Sequence, residues 1–233
     1  MRFAALSLSL TLCAAPALGE ISSAKFTQPT QRYAHGVLGD TTEYGGLEMT
    51  YSDHGGVKTA TIILPQNHVF EDLTPRLADI DGDGSPEVIV IETDVKRGAA
   101  LAVYDENGKR AETPHIGSSH RWLAPVGIAD FDGDGTIDVA YIDRPHLAKT
   151  LRVWSFKNNK LTEVANLRGL TNHRIGDDFI SGGVRMCGGA PEMITVDAGW
   201  SRIMSTAIEN GQLVSTGIGP FKGQRSLKRA LTC

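Results

Sequence analysis

The stretch Ala78-Asp79-Ile80-Asp81-Gly82-Asp83-Gly84-Ser85-Pro86-Glu87-Val88 returns as Ala129-Asp130-Phe131-Asp132-Gly133-Asp134-Gly135-Thr136-Ile137-Asp138-Val139, a shift of 51 residues. Each copy is followed by an apolar run, Val88 to Ile91 and Val139 to Ile142, with no helical spacing on either side. A continuous apolar run of that length, bounded by turn residues, reads as a strand covered on both faces. The Asp-rich loop therefore joins two strands. Its duplication makes the chain a repeat protein.

Working outward, the turn signals keep the same step. Gly56, Gly108, Asn159 and Gly211 lie 52, 51 and 52 residues apart. Each follows a strand-like run, namely Leu47 to Tyr51, Leu101 to Tyr104, Leu151 to Phe156 and Ile203 to Ile208, so each predicts a hairpin. His68, His120 and His173 recur with steps of 52 and 53. Four units follow, at about 21–67, 68–119, 120–172 and 173–219, with a tail over 220–233 outside the repeat. One strand before the Asp loop, one after it and a hairpin give four strands per unit. Such units set radially describe a small all-β propeller of about four four-stranded blades, in a single domain over 20–233.

Within each central loop, carboxylates stand at positions 1, 3 and 5, a hydroxyl residue at 7 and another acid at 9. The expected ligands are Asp79, Asp81, Asp83, Ser85 and Glu87, then Asp130, Asp132, Asp134, Thr136 and Asp138. All are hard oxygen donors, the set that selects Ca²⁺ over zinc or copper. Two structural Ca²⁺ sites are expected, each ion neutralising carboxylates that otherwise repel. An EF-hand is excluded because position 12 is Val90 or Tyr141 instead of a bidentate Glu, and flanking helices are lacking. Unit one lacks the Asp loop, and in unit four Val184, Met186 and Gly188 replace carboxylates.

The pattern Ala-Asp-x-Asp-Gly-Asp-Gly-x-x-Asp/Glu-Val in consecutive units resembles the FG-GAP and VCBS repeat families, the propellers at the head of integrin α chains among them. That resemblance implies structural metal loops on one face and partner docking on the opposite face.

The chain opens with Arg2, an apolar run from Phe3 to Ala14, then Ala17-Leu18-Gly19, the form of a secretory signal over 1–19 cut after Gly19. Lipidation of Cys13 is excluded by Leu12, where a small residue is required. Loss of the signal leaves Cys187 and Cys233, an even pair expected to form one disulfide in a periplasmic or extracellular setting. Losing Arg2 takes 23 basic residues to 22 against 27 acidic, a net charge of −5. That balance excludes a nucleic-acid partner, and no run is long enough for a transmembrane segment.

A working face is expected opposite the Asp loops, at the segments leading into the first strand and between the second and third. It gathers His68, His120, Arg121, Trp122, His173, Arg174, Asp177, Asp178, Trp200 and Arg202, with Glu71, Asp72, Arg76, Lys96, Arg97, Arg144 and His146 nearby. A histidine repeated in each unit also fits a hydrogen-bond fixture between blades. Two functions remain: a non-catalytic binding module for a protein, glycan or envelope component, and a hydrolase or lyase built on His173 with Asp177 or Asp178. No nucleophile elbow, His-Glu-x-x-His or phosphate-cradling glycine motif supports the second, so the binding module is preferred.

Overall fold

Period-two side-chain alternation in short segments punctuated by Gly, Asn and Asp leaves sheets as the way to bury the apolar residues. The computed structural model describes residues 19–233, and it is built of antiparallel strands with one short helix. The expected signal at 1–19 and Cys13 lie outside the described residues, apart from Gly19. The first unit contributes β1 (Glu20–Thr30), β2 (Glu43–Asp53) and β3 (Gly56–Ile63). The second contributes β4 (His68–Phe70), β5 (Arg76–Ala78), β6 (Glu87–Asp94), β7 (Gly98–Asp105) and β8 (Gly108–Glu112). The third holds β9 (Leu123–Ala129), β10 (Asp138–Asp143), β11 (Thr150–Lys157) and β12 (Lys160–Arg168), and β13 (Leu170–Thr171) follows at its end. The fourth holds β14 (Gly183–Arg185), β15 (Glu192–Asp197), β16 (Arg202–Glu209) and β17 (Gln212–Pro220), leading to α1 (Gln224–Ala230) in the tail.

All four expected hairpins form, as β2–β3, β7–β8, β11–β12 and β16–β17. In the third, Asn158 and Asn159 take φ of 53° and 58°, the two positive values of a type I′ turn whose twist matches the strands.

The sheets depart from four separate four-stranded blades. Among the described residues there are three: eight strands in the order β1-β2-β4-β6-β7-β8 with β3 on β2 and β5 on β6; then β12-β11-β10-β9; then β13-β15-β16-β17 with β14 on β15. Units one and two share a sheet because Tyr44 of β2 pairs with Phe70 of β4. Unit one has three strands, since residues 31–42 form a loop in place of a fourth. The strand before the Asp loop is also interrupted. Residues 71–75 leave the edge of β6 between β4 and β5, residues 172–182 leave the edge of β15 between β13 and β14, and β9 bulges between Pro125 and Gly127. Pro75 and Pro125 stand at two of these breaks, and a proline has no N–H to give the ladder.

β6 is buried along its whole length because its alternate residues serve two cores. Ile89 and Ile91 join the central cluster with Trp122, Tyr141 and Leu151, whereas Val88 and Val90 face Leu47, Met49 and Tyr104 of the first. β15 does the same with Met193 against Ile194 and Val196, the latter two packing with Leu227 of α1. Each fully buried Val, Ile or Leu is worth roughly 1.5–3 kcal/mol. The tail is held covalently as well: Cys187 and Cys233 are bonded, with Cα atoms 5.5 Å apart.

Candidate functional site

The strand registers sort the molecule into two ends. The Asp loops join β5 to β6 and β9 to β10, at the same end as the tips of the β7–β8 and β11–β12 hairpins. At the other end His68 pairs with Asp94, Leu123 with Asp143 and Leu170 with Asp197.

Each Asp loop is wound by its own carboxylates. Asp79 Oδ1 and Oδ2 accept from the N–H groups of Gly82 and Gly84 at 2.8 and 3.0 Å, and Asp130 accepts from Gly133 and Gly135 at the same distances. Gly82 and Gly133, with φ of 76° and 75°, sit in the left-handed region where a Cβ is strained. The acid at position 9 reaches back across the loop: Glu87 Oε2 accepts from the Ile80 N–H at 3.0 Å, and Asp138 Oδ2 from the Phe131 N–H at 3.1 Å.

Asp79, Asp81 and Glu87 bring ligand atoms within 4.8 Å of one another, and so do Asp130, Asp132 and Asp138. These two clusters are suited to a divalent cation. Asp83 and Asp134 instead each cap a backbone N–H two residues on, at Ser85 and Thr136, 2.8 and 2.7 Å away. The Ser85 hydroxyl donates to the Gly19 carbonyl at 2.7 Å. Asp138 Oδ1 is buried without a hydrogen-bond partner. A buried carboxylate oxygen left unpaired is costly, and an ion in the cluster would satisfy it, so the residues present fit the group. Burial first, then the neighbouring Asp side chains, push Glu87 and Asp138 up to about 7.

Between the loops runs a groove of about 420 Å³ lined by Asp81, Asp83, Thr136 and Asn159. Arg110 bridges it, donating to Asp105 at 2.9 Å and to Asn159 Oδ1 through Nε at 2.9 Å, and lying 3.5 Å from Asp81.

At the other end, the residues expected on one working face separate into interior and surface groups. Trp122 is buried, its Nε1 donating to the Glu71 carbonyl at 2.8 Å, so it is a packing residue. His173 is buried as well. Its Nε2 donates to the backbone carbonyl of Asp177 at 2.9 Å, leaving Nδ1 to accept from His146 Nε2 at 3.0 Å. Its partner is thus the main chain of Asp177 instead of either carboxylate. Burial lowers both imidazoles, His146 to about 4 with help from His173 and His35. His68 lies apart, its Nδ1 2.5 Å from Glu92 and its Nε2 3.2 Å from Asp94.

His120 is exposed and stacks on Tyr33, with Arg121 half-buried beside it. Arg174 lies over the Trp200 ring, 4.3 Å from its centroid, and 5.6 Å from that of Phe221. Arg202 and Asp178 are exposed and Asp177 half-buried. The repeat pattern missed Tyr33, His35 and Glu43, which come from the 31–42 loop and the start of β2, a segment without a counterpart in the other units. The length of that interval between strand-like runs was the available signal.

The family model described as an FG-GAP-like repeat matches residues 79–141, from Asp79 at the start of the first Asp loop to the middle of β10. No curated protein matches the chain. The molecule is a β-rich protein carrying an FG-GAP-like repeat over residues 79–141. Among the described residues, no helix is long and apolar enough to cross a membrane.

Proposed function

We propose that this chain is an exported calcium-binding protein of the FG-GAP/VCBS repeat type that serves as a non-catalytic recognition module in the cell envelope. The carrying observation is the pair of converging oxygen clusters, one of which holds a buried and unpartnered Asp138 oxygen. An all-oxygen set in a flexible loop favours Ca²⁺, and its role is to hold the loop that joins two buried strands. Export rests on the signal-like residues 1–19, removed by cleavage after Gly19, and on the Cys187–Cys233 disulfide, which belongs to an oxidising compartment. Cleavage there frees the Ser85 hydroxyl from Gly19, at the edge of the first ion site.

The recognition face is the end away from the ions. With Trp122 and His173 inside, it narrows to His120, Arg121, Arg174, Asp178, Trp200 and Arg202 in one folded domain over 20–233, and its partner is a protein, glycan or envelope component. Arg174 over Trp200 is a surface pair of the kind that anchors partners.

Ligand that binds only the folded state stabilises it by mass action. Calorimetry of the purified protein in millimolar calcium and in EDTA should show a lower melting temperature after chelation, with two ions released. Asp81→Ala and Asp132→Ala should each remove one. An unchanged melting temperature after verified removal of calcium sinks the structural role.

A further inference from the structure

We propose that the cavity where the 31–42 loop meets the 172–182 excursion is a binding site for an alkylammonium group, with Glu43 as its counter-ion. It measures about 160 Å³ and is lined by Leu38, Asp40, Glu43, Tyr44, Leu73 and Asp178, among others. It uses no residue of the Asp loops and stands whether or not those loops hold calcium.

Glu43 opens β2 with only 5% of its surface exposed, and no hydrogen bond or ion pair reaches its carboxyl among the described residues. The acids around it are already engaged. Asp72 takes both guanidinium nitrogens of Arg76, at 2.7 and 3.1 Å, and the N–H of Ile91. Glu71 is held by His35 and by the Thr93 hydroxyl. Asp40 caps the Thr42 N–H at 2.7 Å. Burial, and then Glu71, Asp40 and Asp72, push Glu43 up to about 9. A buried carboxyl in negative surroundings without a partner is a group that a cationic ligand would satisfy.

The geometry also selects the kind of cation. Among the described residues, three acidic ligand atoms come within 4.8 Å of one another only in the two Asp loops, so the acids of this cavity are too dispersed to share a small divalent ion. Its walls suit a longer ligand: Leu38, Tyr44 and Leu73 offer apolar surface to a methylene stem, and Glu43 is the buried acid in the lining that no protein group engages among the described residues. Asp178 is exposed on the excursion. A Cβ on Gly39 would stand 3.7 Å from that of Asp178, so the loop and the excursion are in contact here. One charged head, an apolar stem and further acids at the mouth are what an aliphatic amine presents or wants.

The test is isothermal titration calorimetry of the purified protein at neutral pH, in saturating calcium, with 1,5-diaminopentane, its neutral analogue 1,5-pentanediol, and Nα-acetyl-lysine amide. Saturable one-to-one binding of at least one amine is expected, with none of the diol. Glu43→Gln should weaken that binding at least tenfold while keeping its calcium-dependent rise in melting temperature, which separates this result from the fate of the calcium reading. Should Glu43→Gln not fold, Asp178→Asn, at an exposed position, should still weaken binding severalfold. Tighter binding of the free diamine marks a small-molecule ligand, and tighter binding of the lysine amide marks a side chain of a partner; either supports the site. It is overturned if neither amine binds saturably, if the diol binds as well, or if the folded variants bind as wild type.

Discussion

Trp122 stands two residues and Arg174 one residue after a histidine of the periodic set, yet the first is covered and the second lies in solvent. Trp122 packs in the central core, and its indole N–H is bonded to the carbonyl of Glu71, 51 residues back in sequence; no local pattern announces such a contact. Truncating Trp122 to Ala should therefore cost about 3–5 kcal/mol, as for other buried aromatic residues. Arg174→Ala should cost less than about 1 kcal/mol, the scale of an exposed cation–π pair. Urea unfolding of both variants decides between packing and surface roles, and equal losses would contradict the burial described above. Glu87 and Asp138 carry a pH dependence whose sign is fixed by their upward shifts. The folded, metal-free protein binds more protons than the unfolded chain between the ordinary carboxylate range and about 7. Its stability should fall as pH rises through that window, while calcium, which needs the ionised carboxylates, should bind more tightly. Melting curves at pH 5.5 and 8 should thus show a wider gap between calcium and EDTA at the higher pH.

At the scale of elements, the hairpins were legible because their information is local: a two-residue bend holding at least one Asn or Gly, between strand-like runs, determines each turn. The interruptions before β5, within β9 and before β14 were not, since a strand that leaves its neighbour's edge and returns keeps its composition. The tail shows the same division. Cysteine parity pointed to the bond between Cys187 and Cys233, whereas the seating of Leu227 against Ile194 and Val196 depends on a helix of only seven residues. The bond spans 46 residues, so in the chain-entropy model its loss should cost about 4 kcal/mol. Paired Cys187→Ser and Cys233→Ser substitutions, followed by denaturant unfolding, measure this directly. A loss below about 1 kcal/mol would show that helix packing alone secures the tail.

Over the whole molecule, the repeat of about fifty-two residues pointed to four units, but the grouping of the described strands into three sheets was not in the repeat. Tyr44 and Phe70 fuse the first two units by a single residue pairing, and that pairing belongs to the one unit whose loop has no counterpart elsewhere. The Asp loops are the opposite case, since the hydrogen bonds that shape them span seven residues or fewer. A bend closed over so short a distance forms with little loss of chain entropy, and the repulsion of its ionised carboxylates opposes it. An ion held by these carboxylate clusters would thus bear on the order in which the chain acquires its shape. If the loops are already closed at the folding barrier, calcium should raise the refolding rate severalfold over that in EDTA and leave the unfolding rate nearly unchanged. Stopped-flow refolding from urea distinguishes this from late closure, in which calcium would slow unfolding alone.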